Sequence, residues 1–467
     1  MTTQAQDFAA AVPTKQFFVS MLTRDINLAD AILDLVDNCL DGALRMADGN
    51  DVDYSKHLVE IELDADHFLI ADNCGGIPRH VAKNYAFKMG RDRDDDRDAE
   101  EETIGMYGVG MKRAIFKMGR EALVRTRHGD DTFEVPITSE WLDEKEWTSL
   151  PINDTERQDL EEPGTIIRID ELYPGVSRHF SNAAWQNELR TSIAEHFTVF
   201  LQEGLKITVN GAAIAPVLVE VLVSREEEGP APYVFQKTID DVLVSIVVGL
   251  NTGRGLPGDE DDMPEFERDR SAATAGWAVF CNDRAVIVGD KSRLTGWGDG
   301  LPLYHYQFSI ITGIVEFRSK SAEKLPVTTT KRALDTSSDV WLQALVKMKE
   351  GMRMWTTYTN KWKNHPRSDQ STYWEDAVSL PLENVIAAVS DRPGIKKNGR
   401  LEYNPQKLKV IPEPPHRKPS SRRVVFSRPI EEVRTVSKAL FDTFDEKPGV
   451  VGDKCFSLVL SEIMEEG

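Results

Sequence analysis

Residues 34–42 read DLVDNCLDG, which sets Asp34, Asp37, Asn38 and Asp41 within two helical turns. Around them Leu28, Ala31, Ile32, Leu35, Val36, Cys39, Leu40 and Ala43 recur at intervals of three and four, the period of a buried helical stripe. Asp30, Asp34, Asp37, Asn38 and Asp41 then share the opposite face, and side chains 34, 38 and 41 point the same way. A solvated face would mix lysine with its acids. A face of four Asp and one Asn repels itself and is built from poor helix formers. Thirty residues on, DNCGGIP (72–78) repeats the Asp-Asn-Cys order, and Gly75-Gly76 allow positive φ and close backbone approach. A third polar stretch, TIGMYGVGMK (103–112), places Gly105, Gly108 and Gly110 ahead of a helix that begins near Lys112. Glycine turns at a helix N-terminus favour phosphate through free amides and the helix dipole. The three stretches read as walls of one nucleotide pocket.

The elements that position these residues follow from pattern. LVEIEL (58–63) alternates as a strand, DADH turns, and FLIADN (68–73) is a second strand running into the glycines. Further strands are expected at 121–127, 132–137 and 164–169, a helix at 187–204 and a hairpin at 205–214. This order makes an α+β sandwich with helices on one face of a mixed sheet. A second α/β region follows, with strands near 242–250 and 276–288, and LPVTTTKRALD (325–335) leading into a long helix over roughly 338–362.

At 467 residues the chain is long enough for about three domains. The net charge of −21 argues against indiscriminate binding to nucleic acid. No run of about 18 apolar residues suggests a membrane span. Four scattered cysteines, Cys39, Cys74, Cys281 and Cys455, form no CxxC pair, so a zinc site is not expected and a cytoplasmic setting is. Between Arg392 and Arg428 eleven Lys/Arg stand against two Glu, which gives +9 and leaves −30 on the rest. This Pro-rich stretch reads as a basic arm for DNA or another polyanion, or as a neutraliser of the chain's own acidic faces. The acidic runs 91–102 and 258–269 read as mobile loops, and the loop 91–104 as a lid over the pocket. Ile430, Val433, Val436, Leu440 and Phe444 share one face of a helix that packs on its own domain or on a partner.

Taken in order, the three polar stretches resemble the GHKL ATPases: gyrase B subunits, heat-shock chaperones, histidine kinases, MutL and MORC proteins. The first motif is matched by Asp34, Asn38 and Asp41, and the DxGxG motif by DNCGGI (72–77). The glycine motif is matched by Gly105, Gly108, Gly110 and Lys112, and the Gly-Thr strand start by Gly164-Thr165. Lys331 in TTTK looks like the lysine of the family's second domain. The resemblance covers about residues 15–365 and is most similar to the MORC and heat-shock-chaperone type. It implies a Bergerat-type ATP-binding domain over 1–214, a transducer-like domain over 215–365, and a basic linker with a small extension over 366–467. ATP and Mg²⁺ are the implied ligands. Asp72 would accept from the adenine amino group, and Gly76 and Thr165 would line the pocket beside it. Asn38 would hold the magnesium, Asp34 would orient water as general base, and Lys331 would reach the γ-phosphate.

Two positions depart from the family pattern. Asp34 stands where the family usually has Glu, which shortens the reach by about 1 Å, a misplacement that can cost roughly a hundredfold in rate. Cys74 stands at the first glycine of DxGxG, so either the backbone tolerates a Cβ there or the turn moves to Gly75. The expected function is therefore an ATP-operated switch or dimeric clamp with slow magnesium-dependent hydrolysis. The alternative is a non-catalytic nucleotide-binding module that presents the basic arm to DNA, RNA or a protein.

Overall fold

Strand β1 (Leu58–Leu63) shows in one line how the first domain is layered. Val59, Ile61 and Leu63 are buried, while Glu60 and Glu62 face outward. A strand with one apolar edge needs a single covering layer, and helices supply it. The computed structural model describes residues 14–47, 51–90, 108–155, 160–226, 230–251, 274–328, 331–363, 365, 369, 372–390, 396–397, 400–401, 413–414 and 425–465. The acidic runs, Gly105 and nearly all of the basic arm lie outside the described residues.

The first sheet joins β1 to β2 (Phe68–Asp72), β3 (Gly119–His128), β4 (Asp131–Ile137), β5 (Asn153–Asp154), β6 (Gly164–Leu172), β7 (Lys206–Val209) and β8 (Ala212–Ala213). Its spatial order is β5-β4-β3-β6-β2-β1-β7-β8, antiparallel except for the parallel pair β1–β7. The helices on its buried face include α1 (Lys15–Arg24), α2 (Leu28–Ala47), α4 (Gly110–Met118), α5 (Ser139–Asp143), α6 (Pro174–Phe180), α7 (Ala183–His196) and α8 (Thr198–Gln202), and a short α3 (Arg79–Val81) follows β2 in the chain. The expected stripe of α2 is the heart of this core: Ala31, Ile32, Leu35, Val36, Leu40 and Ala43 are almost fully buried. Asn27 caps α2 by accepting from the Asp30 amide at 2.8 Å.

The second α/β region has the order β10-β11-β14-β12-β13. Its strands are β10 (Tyr233–Ile239), β11 (Val242–Leu250), β12 (Gly276–Cys281), β13 (Arg284–Asp290) and β14 (Ile311–Arg318). The long helix α9 (Asp339–Trp362) covers one face with Trp341, Met348, Met352, Trp355 and Trp362. Gly351 is required there, because a Cβ would lie 2.6 Å from the Tyr233 ring. The other face is covered by α10 (Leu382–Val389) and by β9 (Val221–Ser224) paired with β15 (Ala377–Leu380). Residues 377–389, beyond the expected boundary at 365, therefore pack on this region.

Two tight hairpins shape the second sheet. Asp240-Asp241 and Asn282-Asp283 both take two consecutive positive φ angles, the twist-matched two-residue turn. The second delivers Arg284 at the first position of β13. Residues 415–467 form a separate unit. It holds α11 (Ile430–Phe441) and α12 (Pro448–Glu465), joined by a turn in which Ser437 Oγ donates to the Thr443 carbonyl at 2.7 Å. Of the expected apolar face, Ile430, Val436 and Phe444 are exposed.

Candidate active site

The acidic face of α2 is not a solvated surface. Asp30, Asp34, Asp37 and Asp41 are each at most 8% exposed, and such burial is tolerated only with compensating partners. For three of them the partners are cations from elsewhere in the chain. Asp30 receives Arg332, Asp34 receives Arg113, and Asp37 receives both Arg284 and Lys331. Asn38, on the same face, is exposed toward a cavity of 480 Å³.

That cavity gathers most of the expected site. Asp34, Asn38, Asp41, Asp72, Gly76, Gly108, Gly110, Lys112, Thr165 and Lys331 all line it. At one end three strands align Asp72, Thr165 and Thr126 in register. Asp72 Oδ1 accepts the Cys74 amide at 2.8 Å, and Oδ2 lies 3.4 Å from the Cys39 thiol. Its carboxyl also accepts the Thr165 amide, yet burial dominates and pushes it up to about 6. Among the described residues no cation neutralises it, so it is an acceptor held ready for a neutral donor. Thr126 Oγ1 accepts the Ile77 amide at 2.7 Å and so pins the glycine turn onto the sheet.

The backbone of that turn accommodates Cys74 without strain. Gly75 and Gly76 have φ of +96° and +68°, while Cys74 is not among the positive-φ residues. The left-handed backbone sits on the two glycines, and the Cys74 side chain is simply buried. A Cβ on Gly76 would lie 2.0 Å from the Arg127 carbonyl, and one on Gly164 would lie 1.9 Å from the Asp72 carbonyl. Both glycines are thus required for strands β2, β3 and β6 to meet at the floor of the cavity.

At the other end, α4 begins at Gly110, whose position would bring a Cβ to 3.6 Å from Asp34. Lys112 is buried and donates to the Ala86 carbonyl at 2.9 Å and to the Gly108 carbonyl. It ties the wide helical turn Ala82–Ala86 to the glycine turn. Asp34 accepts from Arg113 and stands 3.8 Å from the Lys331 ammonium. Lys331 comes from the loop between Val327 and Leu334, which are bridged to each other, and donates to Asp37 Oδ2 at 2.7 Å. Asp37 Oδ1 accepts Arg284 Nε at 2.7 Å. Burial would raise the Asp37 carboxyl, but Arg284 and Lys331 overcome it and hold it below the ordinary range.

Asn38 offers an amide oxygen to the cavity with no protein partner among the described residues, a donor suited to a hard cation. Asp34 and Asp41 supply carboxylates on the same wall. The Asn38 amide is the donor on this wall that fits magnesium.

Arg113, Arg284, Arg332 and Asp37 received no role from the sequence. The signal was present in one form: an all-acidic helix face that is buried must find cations. Arg332 follows Lys331 directly, and Arg113 follows Lys112.

Residues 26–166 match the family model of histidine kinase-, DNA gyrase B-, and HSP90-like ATPases. The matched segment runs from the start of α2 into β6 and holds Asp34, Asn38, Asp72, the glycine turn and Thr165. The match supports the GHKL superfamily for this domain, and with it ATP binding and an ATPase-type activity. No curated protein matches the chain. No helix among the described residues is long and apolar enough to cross a membrane.

Proposed function

We propose that the chain is an ATP-operated conformational switch of the GHKL type, similar to the MORC and heat-shock-chaperone ATPases. It closes as a homodimer on ATP and hydrolyses ATP slowly with magnesium. The observation that carries this reading is Lys331. A residue of the second α/β region reaches the cavity wall beside Asp34, which lets the two regions respond to one nucleotide.

In this reading Asp72 accepts from the adenine amino group, with Thr165 beside it, and Gly76, Gly108 and Gly110 let the backbone approach the nucleotide. Asn38 holds Mg²⁺, which supplies charge neutralisation at the phosphates when bound. Asp34 orients the water and takes its proton, Asp41 completes the polar wall, and Lys331 meets the γ-phosphate. Lys112 acts by fixing the glycine turn. Gly105, in the same motif, lies outside the described residues. The nucleotide-binding domain spans 1–214, the second α/β region runs from 215 past 365 to take in 377–389, and the 392–428 arm serves a polyanionic partner such as DNA, in the cytoplasm.

A second reading, a non-catalytic ATP-binding module, is favoured by one contact: the Asp34 carboxylate is already taken by Arg113. Phosphate release by the purified chain, with and without magnesium and DNA, separates the two. The switch requires magnesium-dependent release and ATP-dependent dimerisation. Mg-ATP binding with no release leaves the module. For either reading, Asn38→Ala is expected to lower Mg-ATP affinity by about tenfold or more, or 1.4 kcal/mol. Unchanged affinity by calorimetry in the folded variant counts against this pocket.

A further inference from the structure

We infer that Arg284 is the positioning residue for Lys331, so that recognition of the γ-phosphate depends on an arginine that does not line the nucleotide cavity. This rests on the reading of Lys331 proposed above.

Lys331 takes φ of +56°, a left-handed conformation that a side-chain-bearing residue does not hold without help. Its amide donates to the Thr328 carbonyl at 2.8 Å, which fixes one side of the turn. Arg284 fixes the other. Its Nη1 donates to the Lys331 carbonyl at 3.0 Å, while its Nε donates to Asp37 at 2.7 Å. One guanidinium therefore holds both the backbone of Lys331 and the carboxylate on which the Lys331 ammonium rests. A lysine has no planar fork and cannot reproduce the pair.

Arg284 is itself set rigidly. It leaves the Asn282-Asp283 turn, where Asn282 exchanges two hydrogen bonds with Ser319 at 3.0 Å. Its guanidinium lies 5.4 Å from the Phe197 ring, at the break between α7 and α8. Next to it, His196 bonds the Ala285 carbonyl and Arg332, and burial pushes its imidazole down to about 3, so it stays neutral among these cations. The frame around Arg284 thus joins α2, α7 and β13, and Lys331 is the cation in it that also reaches the cavity.

The test measures how strongly the full chain prefers a non-hydrolysable ATP analogue over ADP, by calorimetry. Lys331→Met is expected to reduce that preference about tenfold, within the usual range of coupling effects. Arg284→Lys, which keeps a charge opposite Asp37, is expected to reduce it by the same factor, and so is the neutral Arg284→Gln. Combining either with Lys331→Met should cost nothing more, because Arg284 acts only through Lys331. A merely structural arginine would multiply with Lys331→Met instead, and that result overturns the inference. Full preference retained in a folded Arg284→Lys or Arg284→Gln chain overturns it equally. If the wild type shows no preference, or Lys331→Met leaves it intact, the role of Lys331 itself falls and the inference with it.

Discussion

Asp72 lines the cavity, Asp37 on α2 does not, and the two solve the same problem in opposite ways. Both are aspartates deep in the first domain. Asp37 is fully buried, with two cations on its two oxygens, and is held below the ordinary carboxylate range against the pull of burial. Among the described residues Asp72 has only neutral donors, the amides of Cys74 and Thr165 and the Cys39 thiol, and burial lifts it to about 6. The difference separates two tasks. A carboxylate saturated by charge serves as an anchor between elements far apart in sequence. One left without a cation on a cavity wall can be completed by a ligand that donates, as the adenine amino group does.

Asp34 stands between these cases, at the cavity but paired with Arg113, and it carries the largest expected effect. Asp34→Ala should slow turnover by roughly 10²–10⁴-fold, the usual contribution of a general base. Nucleotide binding should persist, because in the proposed reading the side chain serves the water and not the base or ribose. Phosphate release at saturating Mg-ATP, with calorimetry beside it, measures both. Equal turnover in wild type and variant removes Asp34 from catalysis and leaves the non-catalytic module.

The anchor role of Asp37 predicts a stability effect that Asp72 lacks. Asp37→Leu strips buried Arg284 of its carboxylate and leaves Lys331 only Asp34 at 3.8 Å, at a cost of about 3–5 kcal/mol. For the domains concerned this lowers the melting temperature by on the order of 10 °C. Asp72→Asn should not lower the melting temperature of the nucleotide-free protein at neutral pH, since it removes a carboxylate that burial disfavours. Similar thermal shifts in scanning calorimetry for both variants would erase the distinction between anchor and acceptor.

Local pattern carried most of the fold. Strands 58–63 and 242–250 lie where alternation or a continuous apolar run put them, and the stripe of α2 is buried as its spacing required. The helix expected over 187–204 is two helices, because Phe197 departs from helical geometry with φ −110° and ψ 21° while its ring is buried beneath the Arg284 guanidinium. Nothing local in that sequence marks the break. The floor of the cavity was legible because glycine at 76 and 164 answers a backbone need that no other residue meets. The cation partners were not, since Asp37 meets Arg284 and Lys331 across 247 and 294 residues of chain. Helix periodicity says that an acidic face exists. It does not say whether water or a distant arginine covers it.

The smallest effect, and the one that tests Asp72 most directly, is on pH. If its ionised form accepts the adenine amino hydrogen, as proposed, the wild-type affinity for ATP should be flat above neutrality and fall below about pH 6. Well below that point the fall approaches tenfold per pH unit, which gives about tenfold at pH 5. The phosphates of ATP also titrate near pH 6, so the informative quantity is the ratio of wild-type to Asp72→Asn affinity, in which that contribution cancels. Asn has no proton to gain, and its amide can turn a donor toward the oxygen of guanine, so its preference for ATP over GTP should also weaken. Stability moves the other way. Because the folded carboxyl is raised above its unfolded value, its contribution is fully present below about pH 4 and is lost as pH rises through 6. The nucleotide-free protein should therefore gain stability from this group over the same range in which it loses ATP. A wild-type to Asn ratio that stays level from pH 8 to 5 would mean that Asp72 does not touch the base, and the adenine end of the cavity would have to be assigned to other residues.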